Sequence, residues 1–293
     1  RAGWSPAFQK VLDTTFLVRF EEEAIKNEVR SISRVEDATS AAVREQYEEN
    51  PYPRWISYTK KKKMNFSGYI RQVAPRFSPP SMFNEPIRIL VAGCGTGEHP
   101  IIRANTVRSK VLAVDLSRAS LAYAIRMARK LGVDNIEFVQ GDILELSSLD
   151  ERFHVIQCAG VLHHMEEPAR GLAVLEELLL PGGMMRLGLY SAIARRKIIE
   201  AREYIENSGL RPKSEDIRAF RSEVLTSAGD GFGLKGNGDF YSISSCRDLL
   251  FHVQEHNMSL RQIKELIDSH GLRFVDFEFV KKEHRERYAT RFP

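Results

Sequence analysis

Ile89-Leu90-Val91-Ala92-Gly93-Cys94-Gly95-Thr96-Gly97-Glu98-His99 is the stretch that decides the fold. An apolar run, predicted as a strand over 87–93, passes directly into Gly93-x-Gly95-x-Gly97. Glycine there lets the backbone turn sharply and approach a ligand with no Cβ in the way. The spacing is not that of a dinucleotide fingerprint, because Glu98 stands where the third glycine would be needed. A Walker loop is excluded as well, since no Gly-Lys-Ser/Thr follows.

Working outward, KVLAVDLS (110–117), IEFVQGD (136–142), FHVIQCAG (153–160) and MMRLGLY (184–190) read as four further strands. Amphipathic stretches separate them, among them RASLAYAIRMARKLG (118–132) and PARGLAVLEELLLPGG (168–183). Near-continuous Val, Ile and Leu runs predict strands covered by helices on both faces. The expected fold class is therefore α/β, a doubly wound, mostly parallel sheet.

Four regions are expected along the chain. Residues 1–86 form a helical N-terminal extension: FQKVLDTTFLVRFEEEAIKNEVRSI has helical periodicity. It continues into AAVREQYEENPYPRWISY (41–58), broken by Pro51 and Pro53, and a basic run, Lys60 to Lys63, read chiefly as solvated surface. Residues 87–190 are the core. Residues 191–258, with a Gly-rich stretch at 229–240, are read as a cap inserted after the fifth strand. Residues 259–293 supply a helix stopped at Gly271 and a strand, RFVDFEFV (273–280), that completes the core.

Composition narrows the class of protein. The chain has 293 residues, 43% hydrophobic and 28% charged, which excludes collagen-like and wholly disordered readings. No apolar run is long enough to span a membrane. A net charge of +4 is too mild to argue for a nucleic-acid partner. Cys94, Cys158 and Cys246 lack metal-ligand spacing, so a reducing, cytoplasmic setting and no metal are expected. The start, RAGWSPAFQK, is not a signal peptide; beginning on Arg, it is what a fragment or a processed chain would show.

Two carboxylates raise the meaning of the glycine loop. Asp115 closes the second strand, where it can accept both hydroxyls of a ribose, and Asp142 ends the third, where it can meet an adenine amino group. Ligands of open α/β sheets lie outside the carboxyl ends of the strands. Taken singly, each Asp is equally a helix cap.

In VAGCGTG, AVDLS, FVQGDILEL, FHVIQCAGVLHHM and LLLPGGMMRLGLY, in that order, the chain resembles the class I S-adenosylmethionine-dependent methyltransferases, whose fold is Rossmann-like. The resemblance implies S-adenosylmethionine as cofactor. It assigns Gly93, Cys94, Gly95 and Gly97 to the methionine portion, Asp115 with Leu116 to the ribose, Asp142 with Ile143 to the adenine, and Ala159 and Gly160 to the other side. The flanks YEENPYPRW and DLLFHVQEH are similar to a bacterial subgroup sometimes fused to tetratricopeptide repeats. After residue 280 the chain departs from the family, which usually ends its sheet in a β-hairpin.

His163 and His164 stand where a general base would belong, or else line the loop. Tyr47, Tyr52, Trp55, Tyr190, His252 and His256 are the candidate acceptor-binding residues; Tyr47, Tyr52 and Trp55 equally read as packing of the N-terminal segment on the sheet. The segments 41–58 and 191–258 are expected to close over the methyl end, with 229–240 as the mobile part, or else to form an oligomer interface. The function expected is methyl transfer to an unidentified, small or medium-sized acceptor. The alternative is a degenerate scaffold of the same fold acting in protein interaction.

Overall fold

The computed structural model describes residues 3–56, 62–229 and 231–292; Lys60, Lys61 and the end of segment 41–58 lie outside them. Five strands form a single sheet: β1 (Ile87–Ala92), β2 (Ser109–Asp115), β3 (Ile136–Gln140), β4 (Phe153–Ala159) and β5 (Leu179–Gly188). Their order is β3-β2-β1-β4-β5 and every pairing is parallel. The order reverses between β1 and β4, which puts a crevice at their carboxyl ends. β1 is buried along nearly its whole length, as a strand covered on both faces must be.

The helices follow in chain order. The extension holds α1 (Pro6–Leu12), α2 (Val18–Glu28), α3 (Ala38–Glu49) and α4 (Phe66–Val73), with a π-helical turn between α1 and α2. The core adds α5 (Glu98–Thr106), α6 (Arg118–Leu131) and α7 (Pro168–Glu177). The cap carries α8 (Arg196–Asn207), α9 (Ser214–Thr226) and α10 (Ile243–Leu250), and the chain closes with α11 (Leu260–Ser269) and α12 (Lys282–Arg291).

Capping chemistry sets α6. The Ser117 hydroxyl accepts from the Ser120 N–H, and Gly132 stops the helix with φ +65°. Its buried face, Leu121, Ala124, Met127 and Ala128, packs on the sheet. The extension is bound to the same helix. The Glu48 carboxylate accepts the Arg118 N–H at 2.5 Å, a charge well placed at a helix N-terminus, and Glu22 pairs with Arg126 at 2.9 Å. Ile32 N–H donates to the Gln140 carbonyl at 2.8 Å, so the extension also covers the edge at β3.

Two expectations change here. β5 begins at Leu179, five residues before the predicted MMRLGLY, and α7 ends at Glu177 rather than reaching Gly183. Pro181 and the left-handed Gly182 break the helical reading, and a register shift opposite Phe153–Val155 absorbs the irregularity. The segment 273–280 adopts no regular structure and joins no strand. It has the period-two pattern of a strand but no hairpin partner among the described residues, and an isolated edge is too weak to hold. Phe274 and Val280 stay exposed, while the Glu278 carboxylate ties the segment to Arg186 of β5 and to the Tyr69 hydroxyl.

The cap has an apolar cluster of its own, built on Ile205, Phe220, Leu234, Phe240 and Leu250. Two other clusters, one on each face of the sheet, form the core.

Candidate active site

A cavity of about 310 Å³ opens at the carboxyl ends of the strands. From β1 it receives Gly93, Cys94 and Gly95; from β2, Asp115 and Leu116; from β3, Asp142 and Ile143; from β4, Ala159 and Gly160. Gly97 does not line it. With φ +83°, Gly97 begins α5, and a Cβ there would lie 2.5 Å from the Ala124 Cβ, so its role is to let α5 and α6 approach.

Asp115 is anchored by two backbone groups: Gly95 N–H donates to Oδ2 at 2.7 Å and Ser117 N–H to Oδ1 at 2.9 Å. Each oxygen keeps an acceptor site, the arrangement that a pair of vicinal hydroxyls needs. Burial pushes the Asp115 carboxyl up to about 6, against the pull of those N–H groups. Asp142 combines both readings open to it. Its Oδ1 accepts from Leu144 N–H at 3.0 Å, capping the 3₁₀ turn Ile143–Ser148, and the residue also walls the cavity. Cys94 is buried beside Asp115, and burial drives its thiol well above the ordinary value, which leaves it unreactive.

Segments outside the sheet complete the wall. α3 and the proline-rich turn after it contribute Ser40, Val43, Tyr47, Tyr52 and Pro53, and Tyr190 enters just past β5. The turn is locked to the glycine loop: the Thr96 hydroxyl donates to the Pro53 carbonyl, and Trp55 Nε1 donates to the Thr96 carbonyl at 3.0 Å. Trp55 therefore points away from the cavity. It is buried in the core against Tyr123, the packing role of the two readings open to it.

The histidines divide. His164 lines the cavity; its Nδ1 lies 2.6 Å from the Gln254 carbonyl and its ring stacks on His252 at 3.5 Å. His163 is fully buried, stacked on Tyr190 at 3.7 Å, and has no place in the wall. His252 is buried behind His164, and His256 is used up in contacts with the Met165 and Glu166 carbonyls at 3.0 and 3.1 Å. None of these three lines the cavity; in the irregular segment 254–258, His256 N–H donates to the His163 carbonyl at 2.7 Å. Burial depresses His163 and His252 to about 2 and His164 to about 4, so all are neutral at pH 7. That is far below the range that suits a general base. No group of three metal-ligating side chains occurs among the described residues.

From the cap, the lining residue is Asp248 on α10. Among the described residues, the Gly-rich stretch and the neighbouring aromatics do not line the cavity: Phe240 is buried within the cap and Tyr241 is half-exposed. Asp248 was not singled out by its sequence, because an acid on an amphipathic helix ordinarily faces solvent. The quoted stretch DLLFHVQEH nevertheless begins with it. Glu98 and His99, directly after the glycine loop, also line the cavity.

Comparison with known proteins agrees with this architecture. The family model for a methyltransferase domain matches residues 84–212. An uncharacterized protein of Synechococcus sp. is 32% identical over 200 residues, which cover 65% of this chain and 48% of that protein. The 27-O-demethylrifamycin SV methyltransferase of Amycolatopsis mediterranei is 26% identical over 168 residues, covering 50% of this chain and 62% of that enzyme. The chain thus spans about half the length of the curated relatives it matches. PKMT2 from Rickettsia typhi, solved in complex with AdoHcy, is 18% identical with a TM-score of 0.57, covering 81% of this chain and 50% of that one. At that identity the likeness is one of fold. No described helix is long and apolar enough to cross a membrane. The glycine loop and the whole five-stranded sheet thus lie within residues 84–212, the part of the chain that matches the methyltransferase domain.

Proposed function

We propose that the protein transfers a methyl group from S-adenosylmethionine to a small or medium-sized acceptor held beneath the extension and the cap. The observation that carries this reading is the composition of one cavity. It joins the glycine loop and the two strand-end carboxylates to tyrosines and an aspartate from outside the sheet. In this reading Asp115 accepts the ribose hydroxyls, Asp142 and Ile143 hold the adenine, and Gly93 and Gly95, on either side of Cys94, let the methionine portion approach the backbone. Gly160, with φ +79° and open space where a Cβ would stand, leaves room on the β4 side.

S-adenosylmethionine, when bound, supplies a methyl group already activated by its sulfonium. The protein's own contribution is then alignment and the exclusion of water. Tyr47 and Tyr52 from the extension and Asp248 from the cap roof the crevice, which supports a site closed over the acceptor.

Calorimetric titration with S-adenosylmethionine, S-adenosylhomocysteine and NADH tests the assignment. Binding of the first two but not of NADH is expected. Asp115→Ala should weaken S-adenosylmethionine by about 1.5–3 kcal/mol, the scale of hydrogen bonds to a charged group. Unchanged affinity in a folded Asp115→Ala protein would overturn it.

A further inference from the structure

Sheet order fixes how the cavity is laid out. With the strands arranged β3-β2-β1-β4-β5, the lining residues run from Asp142 past Asp115 and the glycine loop to Gly160 and then Tyr190. If adenine and ribose occupy the β3 and β2 side, the transferred methyl falls near β1 and β4. What approaches it enters from the Tyr190 side. That side is where Asp248 stands, and Tyr47 and Tyr52 stand with it.

Asp248 is an unusual residue for such a wall. It is 6% exposed, and its Oδ1 accepts the Tyr47 hydroxyl at 2.5 Å. No ion pair to it occurs among the described residues. The nearby cations are already committed: Arg195 and Arg202 converge on Glu255, at 2.7 and 3.8 Å, and Arg195 is stacked over the Tyr190 ring. The remaining neighbours are the phenols of Tyr47, Tyr52 and Tyr190, the Asp239 carboxyl, and neutral His252, whose ring lies 5.8 Å from that of Tyr47. A buried carboxylate without a cation is costly. The Arg195 charge acts on Asp248 without an ion-pair contact, and a carboxylate so placed, among aromatic rings in a cavity wall, is complementary to an ammonium group.

We propose that the acceptor is an amine, bound as its ammonium form by Asp248 within the cluster of Tyr47, Tyr52 and Tyr190. The proposal rests on the methyl-transfer reading above and names its substrate class. An ammonium has no lone pair and cannot attack carbon. Asp248 first takes one N–H proton, giving a neutral amine and a neutral carboxyl. The nitrogen lone pair then forms the N–CH3 bond as the CH3–S bond breaks, its electron pair staying on sulfur. The products are a methylammonium and the neutral thioether, and the Asp248 proton leaves to solvent. The Tyr47 hydroxyl is a positioning group that holds the carboxylate facing the acceptor.

The test compares n-butylammonium with 1-butanol as probes on the S-adenosylhomocysteine-loaded protein, read by calorimetry. The wild type should bind the ammonium about tenfold or more tightly than the alcohol, and Asp248→Asn should remove the difference. Both S-adenosylmethionine and S-adenosylhomocysteine should bind Asp248→Asn as they bind the wild type. Weakening of S-adenosylmethionine alone would mean that Asp248 faces the sulfonium, and weakening of both that it holds the cofactor's α-ammonium; either overturns the proposal. Equal binding of the two probes to the wild type also overturns it, and that comparison needs no variant to fold. Failure of the wild type to bind either cofactor form would instead sink the methyl-transfer reading itself.

Discussion

Gly97→Ala separates the structural glycine of the loop from those that face the cavity. The native residue sits at φ +83°, where an alanine costs about 1–2 kcal/mol. Its Cβ would meet the Ala124 Cβ at 2.5 Å, the Ala124 Cα at 3.1 Å and Phe138 Cε1 at 3.3 Å. Two of these atoms belong to the buried face of α6, which cannot retreat without disturbing the sheet, so overpacking adds about 1–3 kcal/mol. The sum, about 2–5 kcal/mol, is a large part of the 5–15 kcal/mol typical of a folded domain. Urea denaturation of Gly97→Ala, Ala124→Gly and the double variant isolates the contact. Ala124→Gly alone loses about 1 kcal/mol of helix propensity, but in the double variant it removes the 2.5 Å contact and should return part of the loss. The backbone share should remain. S-adenosylmethionine affinity of the folded fraction should be unchanged. A Gly97→Ala protein as stable as the wild type would refute the packing argument; one that folds normally but loses the cofactor would return Gly97 to the binding site.

Two other expectations concern charge and reactivity. His163, His164 and His252, depressed to about 2, 4 and 2, refuse protons that the unfolded chain takes up below its ordinary value of 6.5, so they cost stability as pH falls. Asp115 and Asp248, raised from 3.8 to about 6, do the opposite between those values. Three groups against two leave about one proton in favour of the unfolded state, so together they should lower stability by about 1.4 kcal/mol per unit as pH falls from about 6 to 4. His252→Phe balances the set and should flatten that slope in urea titrations; an unaltered slope counts against the assignment. Cys94→Ala should keep cofactor affinity within a few-fold, and the native thiol should resist iodoacetamide at mildly alkaline pH; rapid alkylation in the folded protein would contradict its burial.

The parts of the fold legible in the sequence were those carried by local pattern. β1 with its glycine loop, Asp115 at the end of β2 and Asp142 after β3 are read directly, because strand, turn and carboxylate follow one another within a few residues. The start of β5 was obscured by Leu178-Leu179-Leu180, an apolar run that fits helix or strand equally until Pro181 and Gly182 are weighed. The strand pattern of 273–280 failed for the opposite reason: alternation is a local property, but pairing needs a neighbour. The acceptor side was hardest to read. Trp55 and Tyr47 lie in one short segment, yet one turns into the core and the other into the cavity. Asp248 acquires its meaning only from burial by elements remote in the chain.

That remoteness governs how the site comes into being. The hydrogen bond between Tyr47 and Asp248 joins residues 201 positions apart, so the roof closes only after the extension, the sheet and the cap have each found their places. Such long-range closure comes at high loop entropy and late in folding. A ligand seated beneath it is therefore a clasp on the whole chain. At a hundred times its dissociation constant a ligand that binds only the native state contributes about 2.7 kcal/mol, and here that stabilisation adds to a seam where Arg247 already pairs with Glu49 and the Ser244 hydroxyl donates to the Pro51 carbonyl.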